Sequence, residues 1–174
     1  MTMPTMTMPT LTLIDDNLLD EVCAEAAANP RRRKNHNFHP RDDFPAHRLL
    51  NAMQPDSYIP PHRHLDADKD ETFVVLRGAL GVFIFDDTGA VVQKITVGVK
   101  VDAQSAVQNA VQGVDIPHGV WHTAIALLPD TVFLEAKAGP YLPFTAAERA
   151  PWAPQENTPD AATYLASLRG LFNA

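Results

Sequence analysis

The sequence predicts a mainly β protein, an antiparallel barrel with one α-helix before it and one after it. Three observations predict this. Fifteen prolines are spread along 174 residues, more than a helix bundle can seat, because an interior proline removes a helix hydrogen bond and clashes with the preceding turn. Short runs rich in Val, Ile, Phe and Thr recur between residues 47 and 138, divided by turn residues. Three histidines, His62, His64 and His122, fall in or beside those runs, at places that a closed sheet can bring together.

The length fits one domain with tails. We divide it into a leader (1–12), an N-terminal helix with an extended loop (13–46), the barrel (47–138) and a Pro-rich wrap with a final helix (139–174). The leader repeats Met-Thr-Met-Pro-Thr and lacks the basic residues and apolar stretch of a signal peptide. Leu18, Leu19, Val22 and Ala26 then follow helical spacing, with an Asp as N-cap and Pro30 just past the end. Cys23 falls on that apolar face, so it reads as a small core residue; a lone cysteine also suits a reducing compartment.

Residues 31–46 are polar and irregular and are expected to form a loop. The β-like runs are 47–53, 57–60, 72–76, 79–85, 91–97, 111–116, 120–127 and 131–137. Asp86-Asp87-Thr88-Gly89 and Leu128-Pro129-Asp130-Thr131 read as hairpin turns. Thr158 and Pro159 open the last helix, whose apolar face is expected from Tyr164, Leu165, Leu168, Leu171 and Phe172.

A net charge of −7 argues against a nucleic-acid partner. The basic run Arg31-Arg32-Arg33-Lys34 is either a solvated loop or an anion site. No apolar run approaches the ~18 residues of a membrane span, so a cytoplasmic protein without membrane contact is expected.

Two clusters carry chemistry. Pro60-Pro61-His62-Arg63-His64 puts two imidazoles at i and i+2, on one face of an extended segment, with Glu71 following at the start of the next run. Pro117-His118-Gly119-Val120-Trp121-His122 is a Pro/Gly turn that launches a strand bearing His122. Imidazoles and a carboxylate converging from different strands make a divalent-metal site. His118 is expected to face solvent; His36, His39 and His47 have no spacing that specifies a site. Asp66, Asp68 and Asp70 are alternative carboxylates to Glu71.

This set resembles the two conserved motifs of the cupin superfamily. His62, His64, Glu71 and Gly78 match the first, and Pro117, Gly119 and His122 the second. The sequence departs from the pattern at four places. No glycine precedes His62 where the motif has one, and the step from His64 to Glu71 is about two or three residues longer. Gly113 stands nearer Pro117 than in the motif, and Ala126 replaces its closing Asn. Over roughly residues 13–172 the chain is also similar to the WbuC-type cupin-fold metalloproteins, found with O-antigen and polysaccharide genes. That similarity rests on the Leu18-Leu19-Asp20 helix and on segments 29–39, 47–52, 71–78, 116–123, 139–141 and 150–154.

The resemblance implies a cupin fold (a double-stranded β-helix or jelly-roll barrel) holding one divalent metal ion through His62, His64, Glu71 and His122. Zinc is the first expectation, and iron, manganese and nickel suit the same ligands. Arg48, Asn51, Arg77, Glu135 and Lys137 are polar residues in β-like runs and are expected to line a pocket for an anionic or sugar-like small molecule. Trp121 and Tyr141 are expected to stack on it. Three functions fit: a metal-dependent enzyme of isomerase or epimerase type on a sugar-like metabolite of surface-polysaccharide synthesis, with Glu71 moving a proton; a non-haem iron oxygenase; or a binding module without catalysis. The resemblance also implies a homodimer.

Overall fold

A computed structural model describes residues 11–99 and 110–172. Helix α1 (Asp16–Ala28) begins where the Asp15 carboxylate accepts a hydrogen bond from the Leu18 backbone N–H at 3.0 Å. Eight strands follow: β1 (Arg33–Asn37), β2 (Ala46–Met53), β3 (Glu71–Arg77), β4 (Ala79–Phe85), β5 (Val91–Gly98), β6 (Gly113–Ile116), β7 (Trp121–Ala126) and β8 (Thr131–Ala138). Helix α2 (Pro159–Gly170) ends the fold. The leader expected at 1–12 lies, for residues 1–10, outside the described residues.

The strands form two antiparallel sheets, a five-stranded one in the order β1-β2-β8-β3-β6 and a three-stranded one in the order β5-β4-β7. This is the mainly β, jelly-roll architecture expected. Three apolar clusters arrange it in layers. Met53, Phe73, Val82, Val97 and Phe133 fill the space between the sheets. Leu50, Ala52 and Val132 turn outward from the larger sheet onto Leu19, Val22, Cys23 and Ala26 of α1. Phe83, Phe85, Trp121 and Ile125 turn outward from the smaller sheet onto Leu165 and Leu168 of α2. Strand β7 is therefore buried on both faces, with every residue from Trp121 to Ala126 buried rather than every second one. Cys23 belongs to the α1 core, and burial raises its thiol pKa, as its spacing in the helix implied.

Two expectations need correction. The polar stretch 31–46 contains β1, which pairs along its length with β2 from Arg33↔Met53 to Asn37↔Leu49. Its sequence, RKNHN, offers no apolar face, so only the backbone ladder holds it, and a hydrophobic pattern cannot reveal it. Conversely, residues 57–60 form no ladder. Pro60 and Pro61 lack the N–H groups a sheet needs, and the segment is tied down by side chains instead. Arg33 donates to the Tyr58 carbonyl at 2.9 Å and Thr123 to the Ile59 carbonyl at 2.6 Å. In α2 the buried face is Ala161, Leu165 and Leu168, whereas Leu171 is exposed. No helix among the described residues is long and apolar enough to cross a membrane.

Gly78 joins β3 to β4 at φ +72°, a conformation that an L side chain adopts at a cost of about 1–2 kcal/mol. A Cβ there would stand 2.4 Å from Thr131 Oγ1, the hydroxyl that accepts from the Ala79 N–H. Gly78→Ala is accordingly expected to destabilise the fold by about 2–3 kcal/mol in a chemical-denaturation series. An unchanged midpoint would show that the turn relaxes freely.

Candidate metal centre

The chain reaches the site from four directions. His62 and His122 face each other across an antiparallel bridge. The His62 N–H donates to the His122 carbonyl at 3.0 Å, and the His122 N–H to the His62 carbonyl at 2.9 Å. Directly opposed residues project to the same face, and their rings lie 4.5 Å apart between centroids. His64, two residues on, shares that face, and its carbonyl accepts from the Gly119 N–H, which ties the Pro/Gly turn to the His-x-His segment. Glu71 opens β3, between Ile116 of β6 and Lys137 of β8 in register. One ligand atom from each of His62, His64, Glu71 and His122 lies within 4.8 Å of all the others.

The alternative carboxylates are engaged elsewhere. Asp70 accepts from the His118 backbone N–H and lies 2.8 Å from its ring, out in solvent. Asp66 caps its own turn by accepting from the Asp68 N–H. Glu71 alone is buried beside the imidazoles, at 2% exposure.

The imidazole tautomers follow from their partners. His122 Nδ1 lies 2.9 Å from the Val120 carbonyl, and His62 Nδ1 lies 3.0 Å from the Pro60 carbonyl. A carbonyl oxygen only accepts, so each Nδ1 carries the hydrogen and the neutral ring keeps a lone pair on Nε2. Burial, with His122 alongside, pushes the His62 pKa down to about 3, so that ring is neutral. His62 is nevertheless partly exposed at one edge, whereas His64 and His122 are buried.

His64 Nε2 and His122 Nε2 stand 2.8 and 3.3 Å from the two Glu71 oxygens, close enough for ion pairs. Neither contact has hydrogen-bond geometry, and both nitrogens are buried without a hydrogen-bond partner among the described residues. The angle decides here rather than the distance. Imidazole nitrogens and carboxylate oxygens that converge within 4.8 Å of one another, with no hydrogen-bond geometry between them, match the donor set of a cation site. The donor set therefore fits a divalent ion.

Glu71 is held ionised. Burial works to raise its pKa, but the imidazoles at its oxygens and the Lys137 ammonium outweigh burial and hold it well below the usual carboxylate range. Lys137 Nζ donates to Glu71 Oε1 at 2.7 Å and contacts Glu135 Oε1 at 2.5 Å. Burial would lower the Lys137 pKa, but the two carboxylates more than offset it and raise the pKa above its ordinary value. Asn51 continues the chain, donating to Glu135 Oε2 at 2.6 Å.

Of the polar residues expected around a pocket, the structure brings Asn51, Glu135 and Lys137 together on the inner face of the larger sheet. A cavity of about 280 Å³ there is lined by Glu135 and Lys137 together with Asn35, His47 and Tyr141, and Asn51 is joined to it through Glu135. The other two, and Trp121 of the expected stacking pair, lie elsewhere. Arg48 points out with Leu50 and Ala52 on the opposite face of β2 and is exposed. Arg77 donates to Asp20 at 2.6 Å and to Asp16 at 3.3 Å, both on α1. Trp121 is next to His122 in sequence but faces α2, because successive strand residues alternate; its indole donates to Asp87 and the Arg63 guanidinium covers its ring at 4.2 Å. Tyr141 is exposed at the rim and stacks on no aromatic ring among the described residues.

Two neighbours escaped the sequence reading. Phe144 packs its ring 4.4 Å from His62 and 5.4 Å from His64. It lies in the Pro-rich wrap, which has no periodicity to mark a facing side. His47 sits opposite Lys137 in β2, stacked on His39 at 4.0 Å. Only its register shows that it shares a face with Lys137.

A family profile described as a domain of unknown function (DUF6016) matches residues 14–97. No curated protein matches. Solved structures resemble the chain at a distance. KdgF from Halomonas sp. has 18% identity over 66% of this chain and 84% of that one, with a TM-score of 0.46. A conserved protein of unknown function from Streptococcus pyogenes has 11% identity over 76% and 91%, with a TM-score of 0.47. The oxalate decarboxylase of Bacillus subtilis, which has Mn(II) centres, has 16% identity over 67% and 30%, with a TM-score of 0.44.

Two variants test the arrangement. His62→Ala/His122→Ala is expected to abolish stoichiometric metal, read by elemental mass spectrometry, while the far-UV circular dichroism stays that of a β protein. Lys137→Met strands Glu71 and Glu135 without their ammonium; metal-free protein should lose about 3 kcal/mol of stability, and added divalent metal should restore more of the melting temperature than in the wild type. With these features the chain is a mainly β protein of jelly-roll architecture whose four candidate metal ligands converge between its sheets.

Proposed function

We propose that this protein is a metal-dependent cupin enzyme that acts on a small polar metabolite bound beside His62, His64, Glu71 and His122. The observation that carries the reading is the pair of buried, unpartnered Nε2 atoms facing an ionised carboxylate. A bound divalent ion would supply Lewis-acid polarisation of a ligand oxygen or an acidified water.

The chain's own residues set the rest. Pro60 and Val120 hold the His62 and His122 rings through their carbonyls, so little reorganisation is needed when a cation binds. Lys137 keeps Glu71 charged and oriented from the side away from His122. Its own raised pKa makes it a fixed cation and hydrogen-bond donor, not a base. Glu71 is the group we assign to proton movement at its carboxylate oxygens. Glu135, Asn35 and Tyr141 offer a carboxylate, an amide and a phenol to the cavity beside Lys137, a set suited to hydroxyl-rich ligands. Phe144 covers the histidines and keeps water from that side. The similarity to WbuC-type proteins is what points to a sugar or sugar-nucleotide of surface-polysaccharide synthesis.

The test starts with elemental analysis of protein purified without a tag or added metal. About one equivalent of a divalent metal is expected, followed by turnover of a panel of sugars and sugar nucleotides that is lost in Glu71→Gln and kept in Trp121→Phe. Zinc would favour Lewis-acid chemistry, whereas iron would move oxygen-dependent oxidation ahead of it. Absence of metal even after reconstitution would sink the reading.

A further inference from the structure

The basic run at 31–34 takes no part in the metal centre, and the structure sends its side chains to two sides. Arg32 pairs with Asp56 at 3.0 Å and Lys34 with Glu25 at 3.3 Å, both at the surface. Arg31 and Arg33 turn together into a cavity of about 430 Å³ whose wall includes His62, Tyr141, Arg149 and Glu156. Arg31 donates through Nε and Nη2 to both Glu156 oxygens at 2.8 Å, and Arg33 Nη2 donates to Glu156 Oε2 at 3.0 Å. Two guanidiniums thus share one carboxylate. Arg149, held beside His62 by a backbone bridge, donates its Nε to the Phe144 carbonyl at 3.3 Å and has no carboxylate partner among the described residues.

The balance decides what such a cavity accepts. Three guanidiniums against one carboxylate leave an excess of positive charge, in a chain whose net charge is −7. Concave, partly apolar walls strengthen that field, and planar guanidinium forks match phosphoryl and carboxylate oxygens. Pro60, Pro143 and Phe144 add apolar wall, and His62 is the candidate metal ligand that opens to this side.

We propose that this cavity is an oxyanion subsite, in which Arg149 and Arg31 hold the phosphoryl or carboxylate end of a small ligand while the remainder of the ligand reaches past His62 to the metal centre. The proposal deepens the reading of that centre as a ligand site and rests on it for the ligand's orientation. Arg33 is the structural member of the group, since it also fastens the Tyr58 carbonyl; Arg149 and Arg31 are the members with exposed surface.

Calorimetric titration tests this with two probes, inorganic pyrophosphate and malonate, on the wild type and on Arg149→Ala, Arg41→Ala and His122→Ala. The stronger binding of the two probes identifies the phosphoryl or the carboxylate class. That probe should bind about tenfold more weakly to Arg149→Ala, equally well to Arg41→Ala, whose arginine lies outside the cavity, and measurably to His122→Ala. No binding to the wild type at millimolar concentrations overturns the subsite, as does equal affinity in Arg149→Ala. Binding lost only in His122→Ala places the anion on the metal and overturns it too. A wild type that binds no metal, yet holds the anion with the expected response to Arg149→Ala, would instead remove the reading of the centre and leave the subsite standing.

Discussion

The burial of the Glu71 carboxylate is the constraint on which the site depends. A carboxylate at 2% exposure is tolerated only when its lost hydration is replaced. Lys137 supplies part of the replacement from the neighbouring strand, but it is shared with Glu135. Two carboxylates against one ammonium leave a negative charge over. On the far side stand the His64 and His122 rings, whose buried Nε2 atoms have no hydrogen-bond partner among the described residues. The converging donors make a site that fits a divalent cation.

The fold makes that arrangement affordable by covering both sheets. Helix α1 covers the outer face of the larger sheet and α2 that of the smaller, so apolar burial is distributed over three clusters. The inner face of the larger sheet can then carry a polar row without emptying the core. Its register sets His47, Lys137 and Glu71 side by side, with Leu49, Glu135 and Phe73 in the next row. Polar and apolar residues alternate along each strand, yet across the strands they gather into one patch.

The basic run shows how charge count and charge placement differ. Read along the chain, four successive cations suggest either a solvated loop or an anion site. In the fold they divide into two surface pairs and two cavity residues. The turn that holds Arg32 at φ +56° and the start of β1 at Arg33 send the run to two sides, and Glu156, more than a hundred residues later, converges on one of them.

Local chemistry was legible in the sequence. The Asp cap, the proline and glycine turns, the i and i+2 spacing of His62 and His64 and the Pro/Gly launch of His122 are short-range features whose physics needs only neighbours. They were enough to delimit most strands, both helices and the four residues that meet at the centre. The sequence alone left Glu71 in competition with three nearby aspartates, because distance along the chain does not say which carboxylate is buried. It also placed Arg48, Arg77 and Trp121 with Asn51, Glu135 and Lys137, since a polar or aromatic residue in a strand declares a period but not a direction. Strand β1 was missed for a related reason: an edge strand with two polar faces is held by its backbone alone. The tertiary structure decided these questions through register and layering, which determine what each strand face meets and so which polar groups must find one another.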